Sequence, residues 1–298
     1  MASGLGLHTE AAPPLIEGAS RPHAIHHTET VIRPAHATLG LDLRELWQFR
    51  HLFRALVWRN VRVEFDAQRL GFVWAFLRPF MYVVVFSLFR SLSEARTGVE
   101  IPYPLYVYSG FVLWYYFLDA STASASAVRA DVALLTKVYY PRLLTPLVPI
   151  VANLVSLGIS LVPVAFMMAW YGVLPGPRLV LLPLVLLQCA ILTLGIGTLL
   201  SSLSVESRDW VRMLQFGLYL GVYVSPVIYA PDIIPEPFRA AYLLNPMAGT
   251  LLAFRATLFA DVPFPVAEWL YSLGFSLALL SLGIWAFRRA EVSFADRL

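Results

Sequence analysis

An all-α protein crossing a membrane several times is the fold class this sequence predicts, and three observations carry that expectation. First, six apolar stretches run at about 71–90, 105–127, 143–171, 179–203, 211–230 and 266–287. Each approaches or exceeds the roughly 20 residues a helix needs to cross ~30 Å of hydrocarbon. Second, the positive charge between them is lopsided. With the N-terminus in the cytoplasm, segments 1–70, 128–142, 204–212 and 288–298 hold sixteen of the 22 Lys and Arg, the outer connectors together with Arg90 at the outer end of the first stretch hold five, and Arg78 lies within a span. Such an excess on one side orients a polytopic chain, so both termini are expected in the cytoplasm. Third, the 298 residues are 58% hydrophobic and 14% charged, the composition of one integral membrane domain.

Composition also excludes several classes. A net charge of +3 does not mark a nucleic-acid binder, because topology accounts for the arginines. The single cysteine, Cys189, falls mid-span and leaves neither a disulfide framework nor a thiolate metal site. The first 40 residues lack the apolar run of a cleavable signal peptide, so the first span is expected to direct insertion. Residues 1–41 read as a disordered cytoplasmic tail that holds five of the six histidines. The cluster His23, His26 and His27 invites a metal reading, but no acidic or cysteine partners converge there, and no metal site is expected.

The elements follow in order. Asp42 can cap a helix, with Glu45 three residues on as its capping-box partner. Leu46, Phe49, Phe53, Leu56, Val57 and Val61 recur at helical spacing, with Arg44, Arg50, Arg54, Arg62 and Arg69 on other faces. This predicts an amphipathic interface helix over 42–68, lying on the membrane surface, packing on a cytoplasmic partner, or both. The second span ends in Ser121, Thr122, Ser124 and Ser126, small residues that permit close helix packing. Pro175, Gly176 and Pro177 turn the third span into the fourth. Gly217 and Gly221 stand in GxxxG spacing on the fifth. Residues 231–265 are outside yet largely apolar. Pro237 suits the first turn of one short helix, and Asn245-Pro246 opens another that ends near Phe259, too short to cross. Two short re-entrant helices before the sixth span are therefore expected. No long internal repeat is visible, which disfavours inverted-repeat transporters.

These segments, in this order, resemble the permease subunit of ABC-2 exporters for polysaccharides, most closely the O-antigen and teichoic-acid type. The resemblance rests on Trp58-Arg59-Asn60-Val61-Arg62, Leu70-Gly71-Phe72-Val73-Trp74 with Pro79, and Leu135-Thr136-Lys137-Val138-Tyr139-Tyr140-Pro141-Arg142. It continues in Arg208-Asp209, Ser225-Pro226-Val227-Ile228-Tyr229, Asn245-Pro246-Met247, Phe254-Arg255 and Glu291-Val292-Ser293-Phe294-Ala295-Asp296, and it covers about 42–298, the expected transmembrane domain. It implies a second copy of the chain, two copies of a separate ABC ATPase, a lipid-linked glycan as substrate, and the bacterial inner membrane as location, with no nucleic-acid partner. No G-x-x-x-x-G-K-[ST] loop occurs, so ATP and Mg would be bound by the partner ATPase and this chain is expected to be a transport subunit without cofactor, not an enzyme. The resemblance further implies that Arg59 and Arg62 of the interface helix, with Lys137, Tyr139, Tyr140, Pro141 and Arg142 of the connector, dock on the ATPase. It places Asn245, Pro246, Met247, Phe254 and Arg255 at an external gate.

Departures from the family pattern are informative. Arg78 stands where a neutral polar residue is usual, Asp119 where an Asn-like residue is, and Glu64 with Asp66 where the family tends to be basic. Arg78 and Asp119 each lie eight residues in from the cytoplasmic ends of their spans, roughly 12 Å. Charge at that depth rarely faces lipid. An intramembrane ion pair between them is expected, the alternative being that Arg78 binds the substrate's pyrophosphate or acidic sugars. Phe72, Phe76 and Phe80 on the first span and Phe216, Tyr219 and Tyr223 on the fifth are candidates to line a conduit, since flat amphipathic rings suit a passing sugar chain. Core packing and an interfacial aromatic belt are the other reading of such rings, including Trp114, Trp170, Tyr171 and Tyr229. Two further functions compete: an ABC-2 permease for a drug or small lipid, and a polyprenyl-lipid glycosyltransferase. The second needs clustered carboxylates or histidines at one face, and the acids here are scattered.

Overall fold

The protein is described by a computed structural model, which covers residues 47–66, 73–93, 101–135 and 137–291, with some side chains near segment ends excepted. The tail 1–41, the capping box Asp42/Glu45, Phe72, the side chain of Phe76 and the terminal 292–298 lie outside the described residues. Among the described residues every regular element is helical. In chain order these are α1 (Arg50–Asp66), α2 (Val73–Ser93), α3 (Tyr103–Ala130), α4 (Val132–Leu135) and α5 (Leu144–Tyr171). There follow α6 (Leu182–Ser204), α7 (Asp209–Gly221), α8 (Glu236–Leu243), α9 (Pro246–Leu258) and α10 (Val266–Glu291). "Inner" and "outer" below follow the sequence expectation, inner being the end that carries 128–142.

Local chemistry explains most boundaries. Pro102 and Pro104 open α3, where a missing N–H costs nothing. Gly172 closes α5 at φ 70°, a conformation that disfavours a Cβ. Pro177 begins a 3-10 turn, Pro177–Leu181, that runs directly into α6. Asn245 caps α9 as its sequence suggests: Oδ1 accepts the Met247 N–H at 3.0 Å, with Pro246 in the first turn.

Among the described residues, three helical stretches are long and apolar enough to cross a membrane: Leu144–Tyr171, Pro177–Ser204 and Val266–Glu291. α2 and α3, at 21 and 28 residues, have the length as well, and α2 is apolar over Leu77–Leu88. The fifth predicted span needs correction. It was expected over 211–230, yet α7 stops at Gly221 after 13 residues, continues as a 3-10 turn only through Val224, and leaves helical geometry at Ser225. Apolar composition carried the expected boundary past the helix because Val227, Ile228 and Ala230 are buried without being helical.

Polar and apolar side chains are distributed unlike those of a water-soluble protein. Val162, Phe166 and Trp170 on α5, Leu187 on α6, and Leu270, Leu277 and Leu282 on α10 are exposed, while Ser121, Ser124, Thr193, Thr198, Ser201 and Ser276 are buried. An apolar outside over a core seamed with hydroxyls is what a lipid solvent selects, because helices there associate by close packing and interhelical hydrogen bonds. α3 is the central element, packed by α2, α5, α6 and α7, and α6 lies along α10. Glycine makes the approach possible. A Cβ at Gly197 would overlap the Ser124 side chain of α3, and one at Gly283 would overlap Thr198 and lie 2.6 Å from the Gly195 carbonyl oxygen. The GxxxG pair singled out by spacing behaves otherwise: Gly221 sits against Trp114, but nothing within the described chain approaches Gly217.

Candidate functional site

Three places gather the candidate residues: the inner connector, a charged pair within the bundle, and a junction at the outer end.

The connector 131–143 divides sharply. Lys137, Val138 and Tyr139 point outward, Tyr139 being 60% exposed. Tyr140 and Pro141 are buried, and the Tyr140 hydroxyl pairs with Thr145 Oγ1 at 3.1 Å. Desolvation pushes the Tyr140 phenol above its ordinary pKa, so it stays protonated. Arg142 turns inward too, donating to the Glu291 backbone carbonyl at 2.7 Å. Beneath lies a small core of Val128, Leu143, Val205, Ile284 and Phe287 that joins α3, α6 and α10. Two further ties complete it: Arg129 donates to the Ser204 carbonyl at 2.8 Å, and Arg59 of α1 pairs with Asp131 at 2.7 Å. Arg62 lies over the Trp58 ring at 5.6 Å. The expected docking set thus splits into an outward group, Lys137 and Tyr139, and an inward group that anchors it. Asp131, Arg129 and Glu291 were not among the expected residues, since a partner chosen by tertiary contact leaves no mark in local spacing.

Within the bundle, Arg78 of α2 donates to Asp119 of α3 at 2.8 Å, the two side chains remaining 44% and 42% exposed. The guanidinium also lies 5.0 Å from the Tyr115 ring. Outward of the pair, Tyr82 and Phe86 of α2 stack on Phe111 of α3 at 4.6 and 6.0 Å, an aromatic seam not among the residues singled out from sequence. Glu64, near the end of α1, accepts a hydrogen bond from Ser156 of α5 at 2.9 Å. Desolvation by partial burial raises its carboxyl pKa; the Ser156 hydrogen bond and the Arg78 charge lower it, the Asp119 charge adds to the rise, and the net direction is up.

Phe80 is exposed on α2, and Phe216, Tyr219 and Tyr223 are exposed along one face of α7 and its 3-10 extension. No ring contact joins these two sets among the described residues. Trp114 is buried edge-on to Phe117 at 5.7 Å, whereas Trp170 and Tyr171 are exposed at the outer end of α5.

At the outer end the five gate candidates do not form an exposed patch. Met247, Phe254 and Arg255 are buried, and Asn245 and Pro246 partly so. Arg255, 2% exposed, donates from Nη1 to the Pro226 carbonyl and from Nη2 to those of Val227, at 2.8 Å, and Tyr106, at 3.1 Å. Its guanidinium also lies 3.5 Å from the Tyr106 ring centroid. Asn245 Nδ2 donates to Ser225 Oγ at 2.8 Å and to the Val224 carbonyl at 3.3 Å. Tyr106 donates its hydroxyl to the Tyr229 carbonyl at 3.1 Å, and Tyr229 its own to that of Tyr223. The backbone oxygens freed where α7 ends are therefore taken up by side chains of α3, α9 and the segment itself. A Cβ at Gly110 would overlap the Arg255 guanidinium.

Comparison with known proteins matches this arrangement to one family. The family described as ABC-2 type transporter matches residues 51–259, from α1 to the end of α9. The O-antigen export system permease protein RfbA of Myxococcus xanthus is 29% identical over 260 residues, covering 86% of this chain and 98% of that protein. A protein of the same name from Klebsiella pneumoniae is 27% identical over 269 residues, covering 87% of this chain and 100% of its own. The polysialic acid transport protein KpsM of Escherichia coli is 24% identical over 247 residues, or 80% of this chain and 92% of that one. A match across more than two hundred residues, embracing the connector, the charged pair and the outer junction alike, leaves one conclusion: this chain belongs to the ABC-2 type transporter family.

Proposed function

We propose that the chain is the transmembrane permease of an ATP-driven exporter that moves a lipid-linked polysaccharide, O-antigen-like or another cell-surface glycan, from the cytoplasm across the bacterial inner membrane. The observation that carries this reading is the near full-length match to relatives named for O-antigen and polysialic acid export. Two copies of the chain work with two copies of a separate ABC ATPase. The domain 42–298 makes six crossings with both termini cytoplasmic, α7 and its outer continuation serving as the fifth, and α8 and α9 dip into the outer leaflet. Residues 1–41 are a cytoplasmic tail.

In this reading Lys137 and Tyr139 meet the ATPase. Tyr140, Pro141 and Arg142 transmit its movement through the small inner core, and α1 carries Arg59 and Arg62 to the same surface. Exposed aromatics on one α7 face, Phe216, Tyr219 and Tyr223, with Phe72, Phe76 and Phe80 of the first span, line the path. Arg78 and Asp119 hold α2 to α3 as a neutral pair, which lets charge persist at membrane depth.

Deleting the gene and identifying what accumulates inside the cell tests the substrate. A polymer on a polyprenyl pyrophosphate carrier is expected; drug or small-lipid retention with normal surface glycan would overturn it. Co-purification of an ATPase subunit, with no ATP hydrolysis by this chain alone, tests the partnership.

A further inference from the structure

Between Val224 and Pro231 the chain runs non-helical through largely buried surroundings. Carbonyl oxygens released there need partners inside the protein, since lipid supplies none. The protein answers with one side chain that binds several segments at once. Arg255 stands on α9, grips the strap at Pro226 and Val227, and grips the start of α3 at Tyr106. Asn245 fastens the strap to the other end of α9 through Ser225.

The acceptors of Arg255 are neutral oxygens and a ring face. A guanidinium is held in such a place only when its donors are satisfied together, because a partly satisfied buried cation is far costlier than either a complete network or none. Withdrawing the strap alone would strip two donors at once. The contact is therefore all-or-none. By contrast, the link between strap and α7 is short: a single 3-10 turn, Val222–Val224, whose Tyr223 and Val224 side chains are exposed while their carbonyls are held on the strap side by Tyr229 and Asn245. A short 3-10 turn has poorer hydrogen-bond geometry than the α-helix it ends, so it yields before the helix does.

We propose that Arg255 is a positioning residue that clamps α9, the 225–229 strap and the outer start of α3 into one unit, and that α7 pivots on this fixed unit at Val222–Val224. The pivot moves the exposed Tyr219 face while the outer junction stays closed on itself. The inference deepens the export reading by assigning where the outer side yields.

Thiol accessibility in the complete transporter tests it without knowledge of the glycan. In a Cys189→Ala background, the only native thiol being removed, Val227→Cys replaces a strap side chain that has no exposed surface and makes no hydrogen bond. A membrane-impermeant maleimide should label the strap thiol so introduced at least ~10-fold more slowly than that of Tyr219→Cys, both at rest and during ATP turnover, as local opening of a clamped segment is rare. Adding Arg255→Lys, which keeps the charge but not the fork of donors, should expose the strap thiol at rest. In the wild-type background Arg255→Lys should co-purify with the ATPase and hydrolyse ATP while export falls at least ~10-fold, the loss of two charge-assisted hydrogen bonds. Asn245→Ala, at a partly exposed position, should show the same uncoupling more mildly and serves where Arg255→Lys does not assemble. Labelling of the strap thiol only during turnover would mean the strap lets go, and the clamp is wrong. Native export per ATP in Asn245→Ala would equally overturn it. Protection of the strap thiol with no glycan exported by the wild-type complex would retire the export reading and leave the clamp standing.

Discussion

Arg78 and Asp119 illustrate how a pair of residues too costly singly is tolerated together. At 2.8 Å they neutralise each other, and the Tyr115 face adds a weak cation–π contact. Arg78→Asp or Asp119→Arg alone sets like charges side by side, and each is expected to lower export at least ~10-fold, a figure discounted for the solvent reaching the pair. The double reversal should restore most of it; a double variant as inactive as either single would show the pairing to be unimportant. Glu64 makes a second residue-scale case. Its folded pKa is raised, mainly by desolvation, so its protonated form favours the folded state. That contribution is full below about pH 4.3, the ordinary glutamate value, and is lost as pH rises through the folded pKa. Glu64→Gln keeps an acceptor for Ser156 without the charge. Its melting temperature in detergent should exceed the native one at pH 7 and converge with it in acid; a constant offset across pH would point to another cause.

Among the elements, helix packing was only half legible beforehand. Helix existence, the Asn245-Pro246 start and the proline openings were readable because capping and the missing proline N–H act within a few residues. Which glycines matter was not. Gly217 and Gly221 have the familiar spacing, yet the tightest helix–helix approaches fall at Gly195, Gly197, Gly249 and Gly283, because contact depends on which face a neighbouring helix occupies. Gly283→Leu should therefore wedge α6 from α10 and lower the yield of folded protein, overpacking of this kind costing about 1–3 kcal/mol where neighbours can shift and more against backbone. Gly217→Leu should leave yield intact. Comparable thermal stability of the two variants would refute this division of roles. The early end of α7 had the same origin: Pro226 marks a break, but that buried apolar residues beyond it are non-helical depends on Arg255 and Asn245, which lie far along the chain.

For the whole molecule, the expected orientation follows from charge asymmetry alone, so reporter fusions after Leu298 and near Met1 should both report cytoplasm; opposite sides would break the six-crossing scheme. Composition and charge bias determined that this is a helical membrane protein and which way it is expected to face, because hydrophobic length and basic bias are one-dimensional quantities that a linear chain carries in full, and the ordered motifs carried the family resemblance. Tertiary structure decided the rest: that Tyr140 and Arg142 turn inward while Tyr139 turns out, that Arg255 is buried where α3, α9 and the chain at Pro226 and Val227 meet, and that α7 stops at Gly221. The reason is physical. Each of these outcomes depends on satisfying a buried polar group with a partner from a distant segment, and such partners are chosen by three-dimensional proximity and not by spacing along the chain.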